Sequence, residues 1–165
     1  MVRRSHAAAL RRRSRLAGRQ PVTAAPIGAN NVNGDTDMND KTVLVVDDDP
    51  NALDIVRTFL ESRGYTVATA KDGKEALAQL ERTRPALVLL DVMMPGMDGW
   101  EVARIIKNHP GFDDIRVVML TARSDFADKH EGLRAGADDY IVKPIQLKEL
   151  GERVERNMKA REKSA

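Results

Sequence analysis

Four short apolar runs in this 165-residue chain each lead into residues that can do chemistry. Asp47-Asp48-Asp49 follows Thr42–Val46 (TVLVV), and Asp91 follows Ala86–Leu90 (ALVLL). Thr121-Ala122 follows Arg116–Leu120 (RVVML), and Lys143-Pro144 follows Tyr140–Val142. If Asp47, Asp48 and Asp91 converge, each close pair costs about 4 kcal/mol at roughly 4 Å and an effective dielectric near 20. Such a group must protonate or recruit a cation. Mg²⁺ with retained waters suits two or three carboxylates. Lys143 adds a mobile positive charge, and the Thr121 hydroxyl with nearby backbone N–H groups adds donors. That set fits phosphoryl oxygens. One carboxylate would then be the nucleophile, because there is no cysteine and no histidine follows these runs. Asp91 is the candidate, since it ends a strand and enters an open loop, VMMPGMDG.

Those residues converge only if the runs between them are parallel strands. TVLVV is continuously apolar, as a strand covered on both faces must be. Asp49-Pro50 then supplies an N-cap and a first-turn proline. Leu53, Val56 and Leu60 follow at helical spacing until Gly64. Tyr65–Ala70 is rich in β formers, and Asp72-x-x-Glu75 resembles a capping box opening a second helix to about Arg82. After the third strand, Asp98 and Glu101 open a third helix through Lys107. Residues 124–135 read as the fourth helix, closed by Gly136, and Leu147–Lys159 as the fifth. Five such strand–helix units predict an α/β fold: a doubly wound, five-stranded parallel sheet with helices on both faces. In the order 2-1-3-4-5 the first and third strands are neighbours, and ligands bind at the carboxyl ends where strand order reverses.

Composition narrows the class. The formal charge of +2 hides an asymmetry. Residues 1–39 hold seven arginines against Asp35 and Asp37, a net +5, whereas residues 40–165 hold 20 basic and 23 acidic residues, a net −3. The body is thus mildly acidic, which argues against DNA binding as its own activity. Residues 1–39 read as a disordered basic extension ahead of a domain at 40–165. The first twenty residues have the Arg-rich, acid-free composition of an organellar transit peptide. The alternatives are a plain solvated extension, or a gene start extended upstream of Met38. Without cysteine there is no disulfide or iron–sulfur scaffold, and His6, His109 and His130 are too scattered for zinc. No apolar run approaches the roughly 18 residues of a membrane span, so a cytoplasmic location is expected.

VLVVDDDP, ALVLLDVMMPGMDG, VVMLTA and GADDYIVKP together resemble the four signature blocks of the bacterial response-regulator receiver domain, in order and spacing, across roughly residues 41–159. The resemblance implies the flavodoxin-like receiver fold and Mg²⁺ as cofactor. It implies that Asp91 accepts a phosphoryl group from a sensor histidine kinase, a histidine phosphotransfer protein or a small phosphodonor. Asp48, Asp91 and the Met93 carbonyl match metal ligands, and Asp47 acts through a bound water. Lys143 and Ala122 match phosphoryl-binding positions. Thr121 and Tyr140 match the switch pair, and Lys143-Pro144 a bond that is often cis. Phosphorylation would repack the face of the fourth helix, fifth strand and fifth helix, which a target protein would read. Only a few residues trail the last helix, so the expectation is a single-domain regulator with no DNA-binding domain, signalling by contact or relaying phosphate onward. A signalling module is expected, rather than an enzyme.

Plainer readings stand beside these. Asp49 and Asp98 read as helix caps, Asp138 and Asp139 as solvated turn residues, and Met93, Met94 and Met97 as loop packing. Trp100 reads as packed on the third helix, and His109 and His130 as surface residues. Two rival classes are an aspartate-nucleophile phosphohydrolase and a degenerate receiver. The first usually carries a second acid two residues after the nucleophile, where this chain has Met93, and the second lacks site residues that are present here. Ile145 stands where the family often has Phe. Met93 and Arg123 occupy positions that tune dephosphorylation in the family, and neither side chain orients an attacking water. The phosphorylated form is therefore expected not to be unusually short-lived; acyl-phosphate decay within seconds in the purified protein would contradict that.

Overall fold

The computed structural model describes residues 40–122 and 135–164. The predicted extension 1–39, and the predicted fourth helix apart from Ala135, lie outside the described residues, as do Arg123 and His130. The elements are β1 (Thr42–Val46), α1 (Pro50–Ser62), β2 (Thr66–Ala70), α2 (Gly73–Thr83), β3 (Leu87–Asp91), α3 (Gly99–Asn108), β4 (Arg116–Thr121), β5 (Asp139–Val142) and α4 (Leu147–Glu162). The helix α4 is the fifth of the sequence reading. All strand pairs are parallel, in the order β2-β1-β3-β4-β5.

Period-two alternation divides each central strand between two cores. Leu44, Val46, Val88, Leu90, Val117 and Met119 face α2 and α3, against Leu80, Val102 and Ile106. Val43, Val45, Leu87, Leu89, Val118 and Leu120 face α1 and α4, against Val56, Leu60, Leu150 and Val154. Apolar side chains on both faces are what make β1 and β3 read as unbroken apolar runs. β2 stands at the edge and is accordingly half-exposed. Among the described residues, no helix is long and apolar enough to cross a membrane.

The helix starts are set by local chemistry. Asp49 accepts the Asn51 N–H at 2.9 Å with Pro50 following it, and Asp98 accepts the Glu101 N–H at 2.9 Å. Asp72 accepts the Glu75 N–H at 2.8 Å, while Glu75 reaches back to the Lys71 N–H at 3.0 Å. The α3 start is also pressed against the end of β3. A Cβ on Gly99 would lie 2.1 Å from the Asp91 carbonyl oxygen and 2.9 Å from the Val92 Cα, so only glycine lets the two meet.

Two plain readings are corrected. Asp138 and Asp139 are not solvated turn residues. Asp138 accepts the Val117 N–H at 2.7 Å and pairs with Lys107 at 2.6 Å and Arg116 at 3.0 Å. Asp139, only 8% exposed, begins β5 and is held by Arg153 at 2.8 Å, Asn157 at 2.8 Å and Arg156. Basic side chains arriving from α3, β4 and α4, none adjacent in sequence, turn this acidic pair into a clasp. The loop methionines also divide. Met94 is buried and Met97 packs on the core, but Met93 is 66% exposed. Trp100 and His109 agree with their readings, the first buried and the second exposed with its ring on Phe112.

Two outcomes follow from these contacts. Gly99→Ala should destabilise the domain by about 1–3 kcal/mol in urea unfolding through overpacking. Alanine in a helix otherwise gains up to about 1 kcal/mol over glycine, so unchanged or raised stability would disprove the clash. Burial alone would raise the Asp139 pKa, but the Tyr140 N–H, Asn157, Arg156 and Arg153 outweigh it and hold the carboxyl below its ordinary value. Its stabilisation is therefore complete above the unfolded-state pKa near 3.9 and fades as pH falls through the lower folded value. Asp139→Asn should cost about 2–3 kcal/mol at neutral pH, and the deficit should shrink in acid; a deficit independent of pH would refute the assignment.

Candidate functional site

Strand register brings the acidic residues together. Val46 pairs with Leu90, so Asp47 and Asp91 leave neighbouring strands at one level. Both keep the phase of Val45 and Leu89, and Lys143 keeps that of Ile141, on the same side of the sheet. The Lys143 N–H donates to the Thr121 carbonyl at 2.8 Å, which ties the end of β5 to β4. The Lys143 side chain then spans the rim: its Nζ lies 2.9 Å from Asp91 Oδ1 and 3.1 Å from Asp47 Oδ2. The other Asp47 oxygen accepts the Asp49 N–H at 2.9 Å. Carboxylate oxygens of Asp47, Asp48 and Asp91 all lie within 4.8 Å of one another.

The electrostatics follow from that crowding. Asp47 and Asp91 are buried, and Asp48 is exposed. Three carboxylates against one ammonium leave a formal charge of −2. Burial pushes the Asp91 pKa upward, aided by the charge of Asp47, and outweighs Lys143 and a backbone hydrogen bond from Met93. For Lys143, burial alone would lower the pKa, but its bonds to Asp91 and Asp47 prevail and raise it. The lysine thus stays cationic. An all-oxygen donor set carrying a double negative charge is of the kind that fits a hard divalent cation. The cluster is also poised for an electrophile that brings its own acceptor oxygens.

The sequence-predicted residues separate into two groups. Asp47, Asp48, Asp91 and Lys143 form one cluster, and Asp91 leads into a loop carrying the exposed Met93. The atom tying Met93 to Asp91 is its backbone N–H. Thr121 ends β4 at the same rim, buried, with its hydroxyl donating to the Ala122 carbonyl at 3.2 Å. Thr121 keeps the phase of Val117 and Met119, on the α2/α3 side where Tyr140 also packs. The Lys143–Pro144 peptide bond is cis. Asp49 and Asp98 serve as caps and do not join the cluster.

Two participants escaped the sequence reading. Gly99 carries no side chain to suggest a role, yet it sets how closely α3 approaches the Asp91 main chain. The Asp-Gly pair ending the loop was its only signal. Trp100 was read as packing, but its partner is the Tyr140 ring, with centroids 6.2 Å apart. No sequence spacing links positions 100 and 140.

Comparison with known proteins identifies the family. The family model described as the response regulator receiver domain matches residues 43–155. The probable transcriptional regulator ycf27 of Cyanophora paradoxa is 47% identical over 118 residues, covering 72% of this chain and 48% of that protein. The DNA-binding response regulator MtrA of Mycolicibacterium smegmatis is 42% identical over 120 residues, covering 73% of this chain and 51% of that protein. Among solved structures, a CheY-like receiver domain protein from Methanospirillum hungatei superposes with a TM-score of 0.70 at 34% identity, covering 76% of this chain and 98% of that one. The chain spans about half the length of these curated relatives. The expectation of a regulator with no DNA-binding domain is corrected accordingly, because these relatives are named as DNA-binding or transcriptional regulators. The physical reason is that a receiver completes its own core, so nothing within it records what it is joined to. The matched residues and the geometry of the acidic rim lead to one conclusion: the chain belongs to the response regulator receiver domain family.

Proposed function

We propose that Asp91 takes a phosphoryl group from a histidine kinase or histidine phosphotransfer protein and thereby switches the face of the domain that carries β5 and α4. The observation that carries this reading is the Lys143 ammonium held between Asp91 and Asp47 beside Asp48. An oxygen of the Asp91 carboxylate attacks phosphorus, the P–N bond to the donor imidazole breaks, and the imidazole leaves with the bonding electrons. Lys143 follows the charge onto the phosphoryl oxygens, with the Met93 N–H, which already bonds the Asp91 carboxylate, and the Ala122 N–H as the proposed further donors. Asp47, Asp48 and Asp91, with the Met93 carbonyl, would hold Mg²⁺, which supplies charge neutralisation at the phosphoryl oxygens when bound.

The switch follows from the same charge. An aspartyl phosphate adds nearly one negative charge and new acceptor oxygens where Asp91 had two. The Thr121 hydroxyl turns from the Ala122 carbonyl toward them, and Tyr140 moves into the space released. This is a population shift between two packings, driven by their unequal interaction with the phosphoryl group. Ile55, Met93 and Leu147, exposed apolar side chains among the described residues, stand on elements that leave the phosphoryl end of the sheet and suit a docking kinase. The names of the curated relatives favour a transcriptional output over onward relay of the phosphate.

Incubation with acetyl phosphate and Mg²⁺ should add about 80 mass units, one phosphoryl group, to the intact protein. Asp91→Asn should abolish that gain, Lys143→Ala should slow it at least about tenfold through loss of transition-state charge stabilisation, and a chelator should suppress it. Equal labelling of Asp91→Asn would overturn the assignment of the acceptor, and undiminished labelling under chelation would overturn the role of the cation.

A further inference from the structure

We infer that Trp100 is a positioning residue that links the acceptor strand to Tyr140 directly, alongside the Thr121 route and resting on the Tyr140 switch reading above. Three contacts lie in series. The Gly99 N–H donates to the Val92 carbonyl at 3.0 Å, and the Gly99 Cα sits so close to Asp91 that no Cβ fits between them. The next residue, Trp100, is 7% exposed and enters the core shared by Val88, Leu90 and Met119. Its ring meets that of Tyr140 at 6.2 Å between centroids and 52° between planes, within the range of favourable aromatic pairs.

This series has little slack. Residue 99 is fixed to the acceptor's main chain by packing and a hydrogen bond, and the indole is fixed by the core around it. Tyr140, only half-buried, is the member free to move. A shift of the Asp91–Val92 backbone on phosphorylation is thus passed to the indole, and Tyr140 must change its packing in response. The Trp100–Tyr140 contact belongs to the resting arrangement, so it acts as a latch that opposes the switched one. Trp100 is not among the carboxylates and the lysine that cluster at the rim, which separates this role from the chemistry there.

The test uses the full chain with Mg²⁺ and beryllofluoride, a non-covalent phosphoryl mimic, with half-saturation read by calorimetry. Trp100→Leu should lower the half-saturating concentration by roughly three- to tenfold, the span an aromatic pair supports. In a Tyr140→Leu background the same change should alter it less than about twofold, since interacting residues are non-additive. Trp100→Phe, which keeps an aromatic ring and guards against misfolding, should stay within about twofold of the parent protein. Trp100 is the sole tryptophan, so its emission should shift on saturation in the parent chain and not in Tyr140→Leu. Equal effects of Trp100→Leu in both backgrounds, or no effect in either, would overturn the latch. If Tyr140→Leu alone leaves half-saturation and the emission change untouched, the Tyr140 switch itself fails, and the latch with it.

Discussion

A single ammonium placed between two carboxylates is the constraint on which this domain depends. Lys143 lies 2.9 Å from Asp91 and 3.1 Å from Asp47. Without it, Asp91 and Asp47 would face each other largely desolvated, at a cost of several kcal/mol. Even with it the rim is under-neutralised, an all-oxygen donor set of the kind that suits a hard divalent cation. The same interaction connects chemistry to conformation. Lys143 follows directly on β5, so whatever redistributes charge around its ammonium acts on the strand that carries Tyr140.

The sheet makes this arrangement rigid at both ends. At the carboxyl ends of the strands, register sets Asp47 level with Asp91, and the absence of a Cβ at Gly99 lets α3 close against the Asp91 main chain. At the opposite end of β5, Asp138 and Asp139 are held by Lys107, Arg116, Arg153 and Arg156, drawn from α3, β4 and α4. β5 is thus clamped electrostatically before Tyr140 and after it. With its carboxylates largely buried and its cations partly exposed, such a clasp is costly to break one partner at a time.

Membership of the receiver family also explains why a reading of these residues could not settle whether a further domain accompanies them. A sheet whose two faces are both covered by its own helices is complete as a folding unit. Its interior therefore carries no trace of a neighbouring domain, and the matched region makes up only about half of the curated relatives.

Much of the molecule was legible in its amino-acid order. Unbroken apolar runs at residues 42–46 and 87–90 specify strands covered on both sides. Asp49-Pro50, Asp72 with Glu75, and Asp98 specify helix starts through bonds spanning two to four residues. Asp47, Asp48, Asp91, Thr121 and Lys143 could be placed at one rim because parallel strands all present their carboxyl ends to the same side. What tertiary structure alone decided involves partners far apart in the chain. The clasp around Asp139, the seat of Gly99 on Asp91 and the meeting of Trp100 with Tyr140 each depend on distances set by packing. Local sequence can state that a residue is charged, small or aromatic, but only the folded chain determines which group stands opposite it.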